Sequence, residues 1–256
     1  MTTLSQDWNT VNWILTDVDD TLTCDGHLPP ETLIALQSLR DAGKKIIAVT
    51  GACAGWGDHI AQLWPVDAVL AENGAVIMEK KHGHLLRYGL SSMTDLNESQ
   101  ILLKQQIADI LCDYPDLCLT LDQAYRVCEV AIDIGQNRAP VKSSIINEVV
   151  AKIHQLGANA TASSIHINAW YGKHSKRITA EYYLRQQGLS SEEIQAQCCY
   201  VGDSMNDAEM FGWLRYTVGV ANIAKVWERL PHKPVVVMSK PGGYGFAEFS
   251  HKLLCK

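Results

Sequence analysis

Short apolar runs and helical spacings alternate along the first eighty residues. "WILT" at 13–16 is apolar and β-favouring, which predicts a buried strand. "PETLIALQSLRDAG" follows. Leu33, Leu36 and Leu39, with Ile34, recur at three- and four-residue spacing and Gly43 fits a stop, so a helix is predicted with those side chains inward. "KKIIAVTG" predicts a second strand and "GDHIAQLWP" a second helix. "DAVLAENGAVIM" predicts a strand, a turn at Asn73-Gly74 and another strand. This order implies right-handed crossovers and a parallel sheet.

The rhythm then changes. "NESQILLKQQIADILCDYP" has helical spacing, and "LCLTL" and "AYRVCEVAIDI" read as strands. "APVKSSIINEVVAKIHQLG" is again helical, with strands at "ANATA" and "SIHINAW". Helix–strand–strand, twice over, predicts an α+β insertion at 86–170, leaving 1–85 and 171–256 as one core domain. Beyond it, "SKRITAEYYLRQQGLSSEE" is predicted as one helix, "CCYVGD" as a buried strand and "NDAEMFGWLR" as a helix. "YTVGVAN" and "KPVVVMS" are predicted as further short strands.

The length of 256 residues suits a core domain with a smaller one inserted, and 47% hydrophobic with 20% charged residues is an ordinary globular balance. A formal net charge of −6 without a basic block argues against nucleic-acid binding, and an anionic substrate would need a local positive site. None of the eight cysteines forms a C-x-x-C pair, so structural zinc is not expected and reduced, mostly buried thiols are. "MTTLSQDWNT" lacks a signal-peptide pattern, and no apolar run approaches the roughly 20 residues of a membrane span. The expectation is a cytoplasmic protein whose partner is a small molecule, with neither nucleic acid nor membrane involved.

Polar chemistry gathers where strands end. Asp17 and Asp19 follow the first strand, Thr50 and Gly51 the second, and Asp203, Asn206 and Asp207 a late one. Open parallel sheets bind ligands at this edge. Clustered carboxylates repel unless a cation joins them, and oxygen ligands without Cys or His favour Mg²⁺. A lone D-x-D at a strand end is often only a turn or cap, but here three strand ends agree.

"DVDDTLT", "VTG", a lysine before a downstream helix and "VGDSMNDAEMF" resemble the haloacid dehalogenase-like (HAD) superfamily of phosphohydrolases, over nearly the whole chain. The insertion looks like the type IIB (C2B) cap carried by Cof-type sugar phosphatases, sucrose-phosphate phosphatase and mannosyl-phosphoglycerate phosphatase. "KPGGYGFAEF" resembles the tail of that group. The resemblance implies an α/β, Rossmann-like parallel-sheet core with an α+β cap, and a Mg²⁺-dependent phosphatase. It makes Asp17 the nucleophile and a metal ligand, and Asp19 the general acid and base, ligating metal through its backbone carbonyl. Thr50 and the Gly51 N–H would hold phosphate, Asp203 would ligate metal, and Asn206 and Asp207 would support it. Asp20 is expected to cap the turn. Lys176 is the phosphate-binding lysine the pattern favours, with Lys173 as the alternative.

Strand alternation places Arg126, Cys128, Val130, Ile132 and Ile134 on one face of the cap, and Val127, Glu129, Ala131 and Asp133 on the other. His166, Asn168 and Trp170 alternate with Ile165, Ile167 and Ala169. Glu129, Asp133, His166 and Asn168 are expected to face the core and bind substrate hydroxyls, Trp170 adding a flat apolar surface. The alternative is a solvated sheet face. The expected substrate is a small phosphorylated metabolite such as a sugar phosphate. A phosphomutase, a phosphoglycolate-type phosphatase and a non-catalytic metabolite-binding module are the rivals.

Overall fold

The computed structural model describes residues 4, 6–163 and 165–255, so parts of the N-terminal stretch, and Ser164 at the start of the predicted last cap strand, lie outside the described residues. Strand β1 (Trp13–Thr16) puts Ile14 and Leu15 on opposite faces, and each joins a different apolar cluster. Around it form α1 (Pro30–Asp41), β2 (Lys45–Val49), α2 (Ala54–Leu63), β3 (Ala68–Ala71), β4 (Val76–Lys81) and β5 (His84–Tyr88). The middle of the chain gives α3 (Met93–Leu111), β6 (Cys118–Leu119), β7 (Val130–Asp133), α4 (Ser143–Gln155), β8 (Asn159–Ala162) and β9 (His166–Trp170). It returns through α5 (Lys176–Gln186), α6 (Ser191–Gln197), β10 (Cys198–Gly202), α7 (Ala208–Trp213), β11 (Tyr216–Gly219), β12 (Val236–Val237) and α8 (Gly242–Leu254).

The large sheet runs β12-β11-β10-β1-β2-β3-β4-β5. It is parallel from β12 to β3, β4 pairs antiparallel with β3, and β5 pairs antiparallel with β4. Residues of α1, α2 and α8 join the cluster on one face, and residues of α5, α6 and α7 the cluster on the other. Burying one such Leu, Ile or Phe fully is worth about 1.5–3 kcal/mol. Thr16 stands opposite Ala48 of β2 and Val201 of β10. That register brings Asp17, Thr50 and Asp203 to one edge.

The small sheet runs β6-β7-β9-β8, all antiparallel, with α3 and α4 packed on one face through Leu103, Ile107, Val149 and Ile153. Its other face turns to the strand ends of the large sheet.

Several sequence expectations are corrected in detail. β5 belongs to the large sheet, so a boundary at 86 would cut through it. The helix predicted from Ser175 is two helices. Gly188 takes φ +90° after α5, and Ser190 starts α6 with a capping box closed by Glu193. In α1 the buried positions are Thr32, Ala35, Leu36 and Leu39, whereas Leu33 and Ile34 are exposed. The cause is α8. Gly243 lies so close to α1 that any Cβ there would collide with the Thr32 hydroxyl. That contact turns Thr32, not Leu33, inward.

Candidate active site

Asp17 leaves β1 with its N–H bonded to the Val201 carbonyl, which fixes its height between β1 and β10. The turn beyond it is held by the Leu22 and Thr23 N–H groups on the Val18 carbonyl. Asp20 adopts φ +56° there, and its N–H donates to Thr23 Oγ1. Thr23, rather than the Asp20 carboxylate, therefore supplies the turn's side-chain cap.

Lys176, the first residue of α5, is buried. Its ammonium donates to Asp17 Oδ1 at 2.6 Å and Asp207 Oδ1 at 2.8 Å. Lys173 is exposed. Burial opposes the ammonium, but Asp17 and Asp207 outweigh it and hold its pKa up. Carboxylate oxygens of Asp17, Asp203 and Asp207 lie within 4.8 Å of one another. Burial, then Asp207 and Asp203, push Asp17 well up against the pull of Lys176, and burial with Asp207 takes Asp203 to about 7. Repulsion of this kind is what a bound cation relieves, and an all-oxygen donor set fits Mg²⁺. Asp207 is already engaged, with Oδ1 on Lys176 and Tyr200 and Oδ2 on the Asp203 and Ser204 N–H groups. Asp203 carries a single neutral donor on each oxygen, Thr21 and Asn222, and Asp17 carries Lys176 on Oδ1, so these two carboxylates keep more capacity for a metal than Asp207. Asn206 Oδ1 accepts from Ser204 Oγ and steadies the loop.

Asp19 is exposed by surface area although it sits among crowded neighbours. Desolvation raises its pKa, with Asp20 adding and Lys176 opposing. Thr50 Oγ1 donates to Asp19 Oδ2 at 3.4 Å and accepts the Ala52 N–H.

The inserted segment reaches the loop after β2 directly. The Gly51 carbonyl accepts from Arg126 Nη1 at 3.0 Å and Asn168 Nδ2 at 3.2 Å. A Cβ at Gly51 would come within 2.9 Å of Asn168 Nδ2, so a larger residue would have to push the Asn168 amide aside. Glu129 is fully buried between Arg126 and Asn73, and burial pushes its pKa up to about 8.

The four predicted cap residues separate. Asn168 and Glu129 lie at the core. Asp133 instead accepts the N–H groups of Gly135, Gln136 and Asn137, which keep its pKa low despite desolvation. His166 meets Gln136 at 2.7 Å, and burial with Arg126 lowers its pKa to about 4. Asp133 and His166 hold a cap loop rather than an open sugar-binding face. Trp170 is also no platform, since it is buried, bonded to the His174 carbonyl and packed on the His174 ring.

Sequence reasoning missed four contributors. Arg126 was assigned to the apolar face because a strand was drawn through it, whereas Leu121–Tyr125 is a 3-10 turn and β7 starts at Val130. Glu72, fully buried with φ +49°, accepts N–H groups from Ala54 of α2 and from Val127, Cys128 and Glu129 of the cap. Asn222 Nδ2 bridges the Asp20 carbonyl and Asp203 Oδ2. Tyr200 looked like one more buried strand residue. Only the charged "EN" beside Gly74 offered a signal in the sequence.

Residues 14–114 match the family model of haloacid dehalogenase-like hydrolases. The chain is 27% identical over 248 residues to phosphoglycolate phosphatase 1 of Saccharolobus solfataricus, covering 95% of this chain and 96% of that protein. It is 26% identical to a phosphoglycolate phosphatase of Archaeoglobus fulgidus, over 92% and 93% of the two chains. The fold is shared with a Synechocystis sucrose-phosphatase solved with sucrose and phosphate, at TM-score 0.68 and 14% identity over 95% and 98% of the chains. A haloacid dehalogenase-like hydrolase of Bacteroides thetaiotaomicron gives TM-score 0.68 at 14% identity over 95% and 100%. In the motif residues at its three strand ends and in its α/β fold, the chain is similar to haloacid dehalogenase-like hydrolases and, among named relatives, to phosphatases.

Proposed function

We propose that the protein is a Mg²⁺-dependent phosphomonoesterase whose leaving group is a neutral, hydroxylated small molecule such as a sugar or polyol. The observation that carries the reaction class is the Lys176 ammonium, buried against Asp17 beside the carboxylates of Asp203 and Asp207. Asp17 attacks phosphorus and the bond to the leaving oxygen breaks. Asp19 gives that oxygen its proton, leaving the phosphoryl group on Asp17. The Asp19 carboxylate then takes a proton from water, whose oxygen attacks phosphorus and frees Asp17 and inorganic phosphate. Lys176, the Thr50 hydroxyl and the Gly51 N–H steady the phosphoryl oxygens. Asp17 and Asp203 would hold Mg²⁺, whose charge offsets that of the phosphate dianion facing a carboxylate.

The cap supports a neutral leaving group. Arg126, the buried cation at the cap–core interface, is already paired with Asp122 and Glu129 and bonded to the Gly51 carbonyl. Burial takes His166 to about 4, so it stays neutral near pH 7. A carboxylate on the leaving group would find no unengaged buried cation among the described residues there. Asn168 Oδ1, by contrast, is buried without a hydrogen-bond partner, as a hydroxyl-binding atom would be. The names of the curated relatives favour a second reading, phosphoglycolate hydrolysis. Phosphate release with Mg²⁺ from a panel of sugar and polyol phosphates, assayed beside phosphoglycolate, separates the two. Sugar or polyol phosphates are expected to give the higher kcat/KM. A clear preference for phosphoglycolate would establish the second reading, and no turnover of any ester would leave a binding module.

A further inference from the structure

Tyr200 lies in the centre of β10, paired with Leu15 of β1 and Thr217 of β11, and is fully buried. Its ring packs edge-on to Phe211 of α7. The hydroxyl has a specific place. It donates to Asp207 Oδ1 at 2.5 Å, and Lys176 Nζ approaches it at 3.5 Å. An ammonium has three N–H groups. Those of Lys176 face Asp17 at 2.6 Å, Asp207 at 2.8 Å and Tyr200 at the longer distance. Asp207 is held on both oxygens, by Lys176 and Tyr200 on one and by backbone N–H groups on the other. The backbone makes room for this arrangement. A Cβ at Gly202 would sit 2.6 Å from Asp207 Oδ2 and 2.9 Å from Tyr200 Cε1, so a larger residue would part the tyrosine from the carboxylate.

We propose that Tyr200 is a positioning residue for phosphoryl transfer: its hydroxyl fixes the Asp207 carboxylate and, through it, the height of the Lys176 ammonium beside Asp17. The long third contact is the one most readily exchanged for a phosphoryl oxygen, while the two short ones keep Nζ in place. Without the hydroxyl, Asp207 Oδ1 loses a donor in a water-poor interior, and the carboxylate that seats the Lys176 ammonium is no longer fixed. This inference rests on the phosphatase reading and on Lys176 as the phosphate-binding cation.

The test is a double-mutant cycle on the Mg²⁺-loaded enzyme with p-nitrophenyl phosphate, joined to inhibition by inorganic phosphate. Tyr200→Phe keeps the ring against Phe211. It is expected to lower kcat/KM roughly tenfold, the effect of a lost hydrogen bond to a charged group, and to weaken phosphate inhibition as well. In a Lys176→Met background the same change is expected to have no further effect on kcat/KM. Equal fractional losses in both backgrounds would show that Tyr200 acts on the fold rather than through Lys176, and unchanged kinetics in Tyr200→Phe would equally overturn the proposal. Tyr200→Leu carries the same cycle if the Phe protein does not fold. Absence of phosphatase activity in the wild-type enzyme would instead refute the underlying reading.

Discussion

A lysine ammonium enclosed by two aspartates is stable only because each partner is held in turn. Lys176 has Asp17 and Asp207 within 2.8 Å, and Asp207 takes two backbone N–H groups on its other oxygen. In the proposed reaction, removing Lys176 would withdraw the charge facing the transferring phosphoryl group, and it would also leave Asp17 facing Asp203 and Asp207 without a counter-charge. Lys176→Ala is expected to lower kcat/KM on p-nitrophenyl phosphate about 10²–10³-fold, the range for one preorganised oxyanion donor, while Lys173→Ala leaves it within about twofold. Steady-state kinetics of the two variants check this. Glu129 gives a pH signature. Its pKa in the fold, about 8, stands above the ordinary 4.5, so its contribution to stability is full below 4.5 and is lost as pH rises through 8. Glu129→Gln has no such loss. Its stability relative to wild type is expected to rise between those limits and then level off. Denaturant midpoints measured across that window check it, and parallel profiles would contradict it.

At the scale of elements, the loop after β2 and the cap sheet act together. Two cap side chains, from the segment before β7 and from β9, meet at one core carbonyl, that of Gly51. Glu72 ties the cap segment 127–129 to the start of α2 with four N–H contacts. In the proposed reaction, substitutions in this inserted segment would therefore act on the loop after β2 as well as on the leaving group. Asn168→Ala is expected to lower kcat/KM about 2–10-fold even on p-nitrophenyl phosphate, in line with one hydrogen bond of about 0.5–1.5 kcal/mol. A loss confined to larger substrates would show that Asn168 touches only the leaving group.

Much of this was legible in the chain, and the gaps have definite causes. The strand-end residues could be read because parallel strands deliver their carboxyl ends to one edge whatever lies between them. The cap's apolar face could be read for Val130, Ile132 and Ile167, since alternation holds inside a strand. It failed at Arg126, where alternation was carried back through residues that form a 3-10 turn. Tyr200, Glu72 and Asn222 stayed hidden because their partners lie 7, 56 and 202 residues away, as the contacts of Tyr200 with Asp207, Glu72 with Cys128 and Asn222 with Asp20 show. Composition and periodicity report nothing on such pairings.

For the molecule as a whole, the eight-stranded sheet carries Asp17, Thr50 and Asp203 at one edge, and the four-stranded sheet reaches that edge through Asn168. No helix among the described residues is long and apolar enough to cross a membrane. The proposed reaction turns on a covalent step at Asp17. Asp19→Asn removes the base that would activate water but leaves the nucleophile, and p-nitrophenolate leaves without needing a proton. Incubated with p-nitrophenyl phosphate and Mg²⁺, quenched in acid and digested, this variant is predicted to carry one phosphate on the peptide containing Asp17. The adduct should be labile to hydroxylamine and absent from Asp17→Asn. Release of p-nitrophenolate with no adduct on that peptide, or the same adduct formed in Asp17→Asn, would contradict the mechanism.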